Sequence, residues 1–209
     1  MPLNPYTIPF RNDSGEEIPA FAVMRPRIKA DSATEIIDRD GNWCVSVVKP
    51  DTKFSRRYLI NGPTAIPSGG YGNAADGSHP VLALRENETV ECGDGWGVQP
   101  DSWKLKRYSP GKFTIYAASG QSPSGDYRAL FSQVECNELL VQLDGTLTGG
   151  DTQTANILRG KTTLVETTIQ IDVRDFQFPD GEVYSDNTKC SVKWINGEWW
   201  VEGFSACPS

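Results

Sequence analysis

The residues equipped for chemistry are few and scattered. His79 is the single histidine; it precedes Pro80 and has no Ser or Cys nucleophile motif beside it, so a general base is not expected there. Asp172, Asp175, Asp180 and Glu182 match calcium ligands in number only. Their spacing is not that of an EF-hand loop, and acids around a turn are usually solvated. No carboxylate pair sits in an apolar setting suited to general acid and base. Cys44, Cys92, Cys136, Cys190 and Cys207 include no Cys-x-x-Cys pair, which argues against structural zinc. Five cannot all pair within one chain, and the expected state is mostly buried thiols acting as small hydrophobes. A disulfide between subunits is the minority alternative. The glycine-rich run at 68–78 lacks Gly-Lys-Ser/Thr and opens no helix, so it reads as a mobile surface loop and not as a phosphate cradle. Neither Gly-x-Ser-x-Gly nor His-Glu-x-x-His is present. The expectation is no catalysis, no cofactor and no metal.

Three tryptophans are candidates for contact with a ligand or partner. Trp96 stands among Gly93, Gly95 and Gly97, Trp103 follows a Pro-Asp-Ser turn, and Trp200 lies in the closing strand pair. Each could be a platform for stacking a sugar ring. Anchoring a loop to a core is the commoner use of such residues. Burial decides between the two readings, because a binding module leaves a Trp face open and a scaffold buries nearly all six.

Elements must then be found to carry them. Asn196-Gly197 between alternating runs is the strongest short-range hairpin signal, since a type I′ turn needs φ > 0 at both central residues. The implied register sets Ile195 against Glu198, Trp194 against Trp199, Val192 against Val201 and Cys190 against Gly203. One face then carries Cys190, Val192, Trp194, Trp199 and Val201, the other Lys193, Ile195, Glu198, Trp200 and Glu202. Trp200 is expected to be the exposed member. Residues 167–178 alternate, with Ile169, Ile171 and Val173 on one side and Thr168, Gln170 and Asp172 on the other. Further strands are expected at 19–24, 43–48, 57–60, 81–85, 89–92, 112–117 and 138–143, with a helical turn at 31–38 capped by Asp31 or Ser32.

Four prolines by position 19 (Pro2, Pro5, Pro9 and Pro19) remove donors and fix φ. Residues 1–18 are therefore expected to form an extended arm that cannot be a central strand, ordered by a neighbouring subunit. The small polar run at 118–125 reads as a linker. The expected architecture is all-β: two small antiparallel modules, sandwich-like or barrel-like, at 1–118 (with the arm) and 119–209. The totals agree: 20 Gly, 14 Pro, 2 Met and 6 Trp suit short strands and tight turns.

Basic residues number 20 and acidic residues 27, a net charge of −7, and the whole excess falls in residues 119–209. That balance argues against nucleic-acid or anionic-membrane partners. The opening residues lack a basic n-region and an apolar h-region, and no apolar run reaches the ~20 residues of a membrane helix. A soluble protein made in the cytosol is expected.

Two blocks carry a resemblance. One is Asn12-Asp13-Ser14-Gly15-Glu16-Glu17-Ile18-Pro19-Ala20-Phe21-Ala22-Val23-Met24-Arg25, continued by Tyr58-Leu59-Ile60-Asn61-Gly62-Pro63, Gly95-Trp96-Gly97 and Ser102-Trp103-Lys104-Leu105. The other is Gly160-Lys161-Thr162-Thr163 with Trp194-Ile195-Asn196-Gly197-Glu198-Trp199-Trp200 and the late Cys207. Together they resemble largely uncharacterised structural proteins of tailed bacteriophages and prophages. The chain departs at Ala206, where members usually carry an acidic residue. The resemblance implies a virion component without enzymatic activity, mounted on tail, neck or baseplate, made in the host cytoplasm and assembled with other virion proteins as a homo-oligomer (trimer or ring). A capsid decoration protein is the nearest rival; a module binding host-surface glycan through Trp96, Trp103 or Trp200 is the rival from another class.

Overall fold

A computed structural model of the 209-residue chain describes all residues except 1–6, 28–35, 40–41, 92–93, 122–124, 161–162, 176–182 and 205–209, with the backbone alone for 36–39, 42, 119, 203 and 204. Every regular element among the described residues is a strand. The chain divides into two compact units: Met1–Asp51 with Ser55–Glu135, and Thr52–Phe54 with Cys136–Ser209.

The first unit begins with β1 (Thr7–Asn12), β2 (Val23–Pro26), β3 (Ile36–Arg39), β4 (Asn42–Val48), β5 (Leu59–Asn61) and β6 (Tyr71–Ala75). β1 pairs antiparallel with β6 and parallel with β4. Since β6 pairs with β5, β5 with β2 and β2 with β4, five strands close a ring, and β3 is added along β4. The expected extended arm is thus corrected: its residues 7–12 are an integral strand. Pro9 is tolerated because pairing with β4 starts only at Phe10, so the proline lies where the strand has one neighbour and a missing donor costs least. The expected loop at 68–78 is corrected too, because 71–75 is β6. Gly72 sits opposite Phe10, and a Cβ there would lie 2.7 Å from the Phe10 ring. The glycine is a slot for an aromatic ring, not a sign of mobility. Residues 36–38 of the expected helical turn are strand β3; Asp31 and Ser32 fall outside the described residues.

A second ring follows in the same unit, from β7 (Val81–Arg85), β8 (Gly95–Gly97), β9 (Lys106–Arg107), β10 (Phe113–Gln121) and β11 (Tyr127–Gln133). The order is β7-β11-β10-β8-β9. A parallel bridge from Arg85 to Leu105 brings the ends together, with Leu105 N donating to Leu84 O at 2.9 Å and Glu86 N to Leu105 O at 2.8 Å. The expected strand at 89–92 is absent over 89–91. Of the expected linker, residues 118–121 are strand instead: β10 runs on to Gln121, which pairs with Tyr127 of β11, and residues 122–124 lie outside the described residues. Small polar residues read as a linker, but ladder hydrogen bonds come from the backbone and need no side chain. The division accordingly falls at Glu135/Cys136, not at 118/119.

The two rings are fused. Leu84 N donates to Phe21 O and Val23 N to Trp103 O, each at 2.9 Å. Leu84 and Trp103 share a core with Phe10, Ile18, Met24, Val47 and Leu59.

The second unit contains β12 (Glu138–Leu143), β13 (Leu147–Thr148), β14 (Thr152–Arg159), β15 (Val165–Asp175), β16 (Val183–Tyr184), β17 (Lys189–Ile195) and β18 (Glu198–Phe204). Here β12, β14, β15, β18 and β17 form a closed barrel, with β15–β18 its one parallel pair. The alternation expected of β15 is observed, with Ile169, Ile171 and Val173 buried and Thr168, Gln170 and Asp172 exposed. The hairpin register is as expected from Ile195–Glu198 to Val192–Val201, and Asn196 and Gly197 both have positive φ. One detail is corrected: a bulge between Ser191 and Val192 sets Ser191 against Gly203 and Cys190 against Phe204.

All three rings share one neighbour pattern. Numbering the ring strands of either half of the first unit 1–5, the first pairs with the fifth and, in parallel, with the third; the second pairs with the third and fourth; the fourth pairs with the fifth. The second unit has the same cycle entered at its fourth strand. Each ring therefore contains one parallel pairing, a departure from the purely antiparallel modules expected.

Candidate interaction surface

Two of the three candidate tryptophans are core residues. Trp96 is 0% exposed, and its ring meets the edge of Phe131 at 5.8 Å. Beside it, a Cβ on Gly97 would lie 1.9 Å from Pro110 O, so the chain at 109–110 crosses directly over that glycine. Trp103 is 9% exposed, in the core of the first ring, with Lys49 Nζ 5.3 Å from its ring. Neither can stack a ligand, which corrects that reading of both.

Trp200 is different: it faces outward, as expected, but is half-buried rather than exposed. Its Nε1 donates to Ile195 O at 3.3 Å, which lays the indole toward the hairpin turn. Cross-strand pairing puts it at the centre of a row running Glu138, Lys193, Trp200, Arg174, Thr152 over five strands. Arg174 Nε donates to Thr152 Oγ1 at 3.0 Å. Lys193 pairs with Glu202 at 3.2 Å and Arg174 with Glu198 at 3.3 Å, so both cations beside the indole are neutralised. Half-buried Ile195 and exposed Leu140 lie on the same outer face. An indole and Arg amid paired charges is the composition of a protein contact, where Trp and Arg are enriched. It is a poor trap for an anion.

Sequence reasoning missed Trp43, which is 55% exposed at the start of β4. Its alternation with Val45 and Val47 reads as core. The β1–β4 pairing, however, begins at Val45, one pleat after it. Only the register reveals this.

The remaining chemical candidates separate. His79 is exposed, its Nδ1 3.1 Å from Ser78 Oγ, which donates to Asp76 Oδ1 at 2.6 Å. A hydroxyl between carboxylate and imidazole is the reverse of a nucleophile relay, in which the imidazole stands in the middle. Asp175 is buried with the Tyr184 hydroxyl 3.4 Å away, and Asp172 is exposed; Asp180 and Glu182 lie outside the described residues. Among the described residues no cluster of three or more His, Cys, Asp or Glu could hold a metal. Cys44, Cys136 and Cys190 remain buried thiols, and burial pushes Cys190 up to about 11, far from a reactive thiolate. Cys92 and Cys207 lie outside the described residues.

An ionic cluster around Arg107 is structural. Arg107 places Nε 2.7 Å from Asp94 and Nη2 2.9 Å from Glu91, while Tyr108 donates to Asp94 at 3.2 Å. Burial pushes the Asp94 carboxyl up, but the hydrogen bonds and charge of Arg107 outweigh it and hold the group below its ordinary 3.8. A carboxylate depressed in the folded state stabilises fully above its ordinary value, and that contribution is lost as pH falls through the lower folded value. Asp94→Asn is therefore expected to lower the urea midpoint of the first unit at pH 7 and to flatten its loss below pH ~4. A variant whose acid transition matches the parent would show that the pair contributes nothing.

The fold and this surface define an all-β protein of five-stranded rings, with a row of side chains centred on Trp200 on an outer face of the second unit. No family model, curated protein or solved structure matches the chain.

Proposed function

We propose that this chain is a non-enzymatic structural component of a tailed-phage virion, attached to tail, neck or baseplate and assembled with copies of itself and other virion proteins. The observation carrying the reading is that several residues of the resemblance are framework residues. Asn12 Nδ2 donates to Glu16 O and Ile66 O at 2.7 and 2.9 Å, and Asn61 Nδ2 to Pro19 O and Thr64 O at 2.8 and 2.9 Å. Trp96, Trp103 and Trp199 are buried. A resemblance resting on such positions speaks for a shared architecture, and the Trp200 row supplies a surface suited to a protein neighbour. The glycan-binding alternative loses two of its three platforms.

Antiserum against the purified chain, applied with gold label to phage particles induced from its source strain, tests the proposal. Label on tail, neck or baseplate is expected. Label on the head would make it a decoration protein, and unlabelled particles carrying no copy by mass spectrometry would overturn the virion reading.

A further inference from the structure

Three residues of the long connection between β4 and β5 belong to the second unit. Lys53 bridges Gln170 in parallel, with Gln170 N donating to Thr52 O at 2.8 Å and Phe54 N to Gln170 O at 3.5 Å. Phe54 sets its ring 6.2 Å from Trp199, which in turn meets Trp194 at 5.2 Å. β18 covers the same edge of β15 only at Val173–Asp175. The segment thus continues the line of β18 where the tight hairpin turn has ended it. It is a strap, completing a barrel to which the adjacent sequence does not belong.

Each end of the strap is held in the first unit. Pro50 O accepts from Asp101 N at 2.8 Å and Asp51 pairs with Arg25 at 2.5 Å. Ser55 N donates to the Tyr58 hydroxyl at 3.0 Å, and Arg56 pairs with Glu135 at 2.8 Å. The strap is therefore presented preformed, held to β15 by the backbone hydrogen bonds at Gln170 and to β18 by the Phe54–Trp199 ring contact.

We infer that Thr52–Phe54 is a strand-exchange element: the β15 edge accepts the strap of a second copy of this chain as well as its own. The occupant follows from the site, which already accepts an extended segment in parallel with an aromatic ring against Trp199. Every copy carries that segment, and exchanging identical elements preserves every contact, which makes swapping a low-cost route to assembly. The inference needs only a second copy and no virion, so it stands or falls apart from the gold-labelling result.

The test uses cysteines at the two bridged positions, Lys53→Cys and Gln170→Cys. Both side chains are exposed, and Cα atoms of paired strand residues lie within the roughly 4.4–6.8 Å a disulfide spans. The double variant should close within its own chain on mild oxidation. In an equimolar mixture of the two single variants a 53–170 link can form only between copies. Mass spectrometry is expected to find that link, its fraction rising with protein concentration and with Phe54→Ala added to the Gln170→Cys chain, whose own strap then holds less well. Absence of the link from the mixture at every concentration overturns the inference. So does a double variant that never closes, since the strap would then not lie on β15.

Discussion

A chain lacking residues 1–12 is expected to lose the fold of its first unit, not merely a point of attachment. β1 is the strand through which the first ring closes, pairing with β6 on one edge and β4 on the other. Its deletion leaves both strands with open edges and removes Phe10 and Asn12, each 0% exposed. The milder Phe10→Ala is expected to cost about 3–5 kcal/mol, a large part of a domain stability usually about 5–15 kcal/mol. Its ring fills the slot over Gly72. Trp96 and Trp103 report directly: their fluorescence should shift to that of solvated indole in the deletion, and the denaturation midpoint should fall in Phe10→Ala. A deletion that keeps cooperative unfolding and dispersed amide resonances throughout the first unit would restore the reading of these residues as a detachable arm.

Trp199→Ala is expected to be the most damaging change in the second unit. Trp199 is 5% exposed, between Phe54 of the strap and Trp194 of the facing strand. Truncation removes a large buried ring and both aromatic contacts, about 3–5 kcal/mol by analogy with other buried aromatics. Trp194 lies on the same face but is half-buried, since it stands next to the hairpin end, and should cost distinctly less. Trp200 rests on the outer face with one hydrogen bond to Ile195 O, and Trp200→Ala should lower melting least while weakening assembly. Urea denaturation followed by near-UV circular dichroism ranks the three. Trp200→Ala as the most destabilising would mean that the inward and outward faces have been exchanged.

The strongest sequence signals were those in which local chemistry and local structure are one thing. Asn196-Gly197 specifies its own turn because its φ values select those residues, and the turn then sets the register for the eight residues nearest it. The bulge between Ser191 and Val192 follows no such rule, and the expected Cys190–Gly203 pairing failed there. The buried and exposed sides of β15 were legible because one barrel wall separates core from water along its described length.

Other readings failed where a local rule met a non-local partner. Prolines argued against a strand at 7–12 because they cannot donate, yet whether a donor is needed at Pro9 depends on where β4 begins to pair. Glycines at 69–72 argued for a loop, although Gly72 is small for the sake of Phe10, sixty-two positions away in the chain. For Trp96 and Trp103 the commoner reading, anchoring in a core, is the one the burial bears out.

By itself, then, the sequence determined an all-β chain, its tightest turn, the inward face of its longest strand and buried thiols among its cysteines. Each follows from interactions within a few residues. The tertiary structure alone decided that the proline-rich start is a ring strand, that the chain divides at Glu135, that Thr52–Phe54 serves the distant barrel and that three rings share one cycle. All of these depend on which strand edges meet, above all the parallel pairs β1–β4, Arg85–Leu105 and β15–β18. Alternation records which side of a strand is dry but not which edge it will join, because edge pairing is made by backbone groups that every residue but proline carries alike.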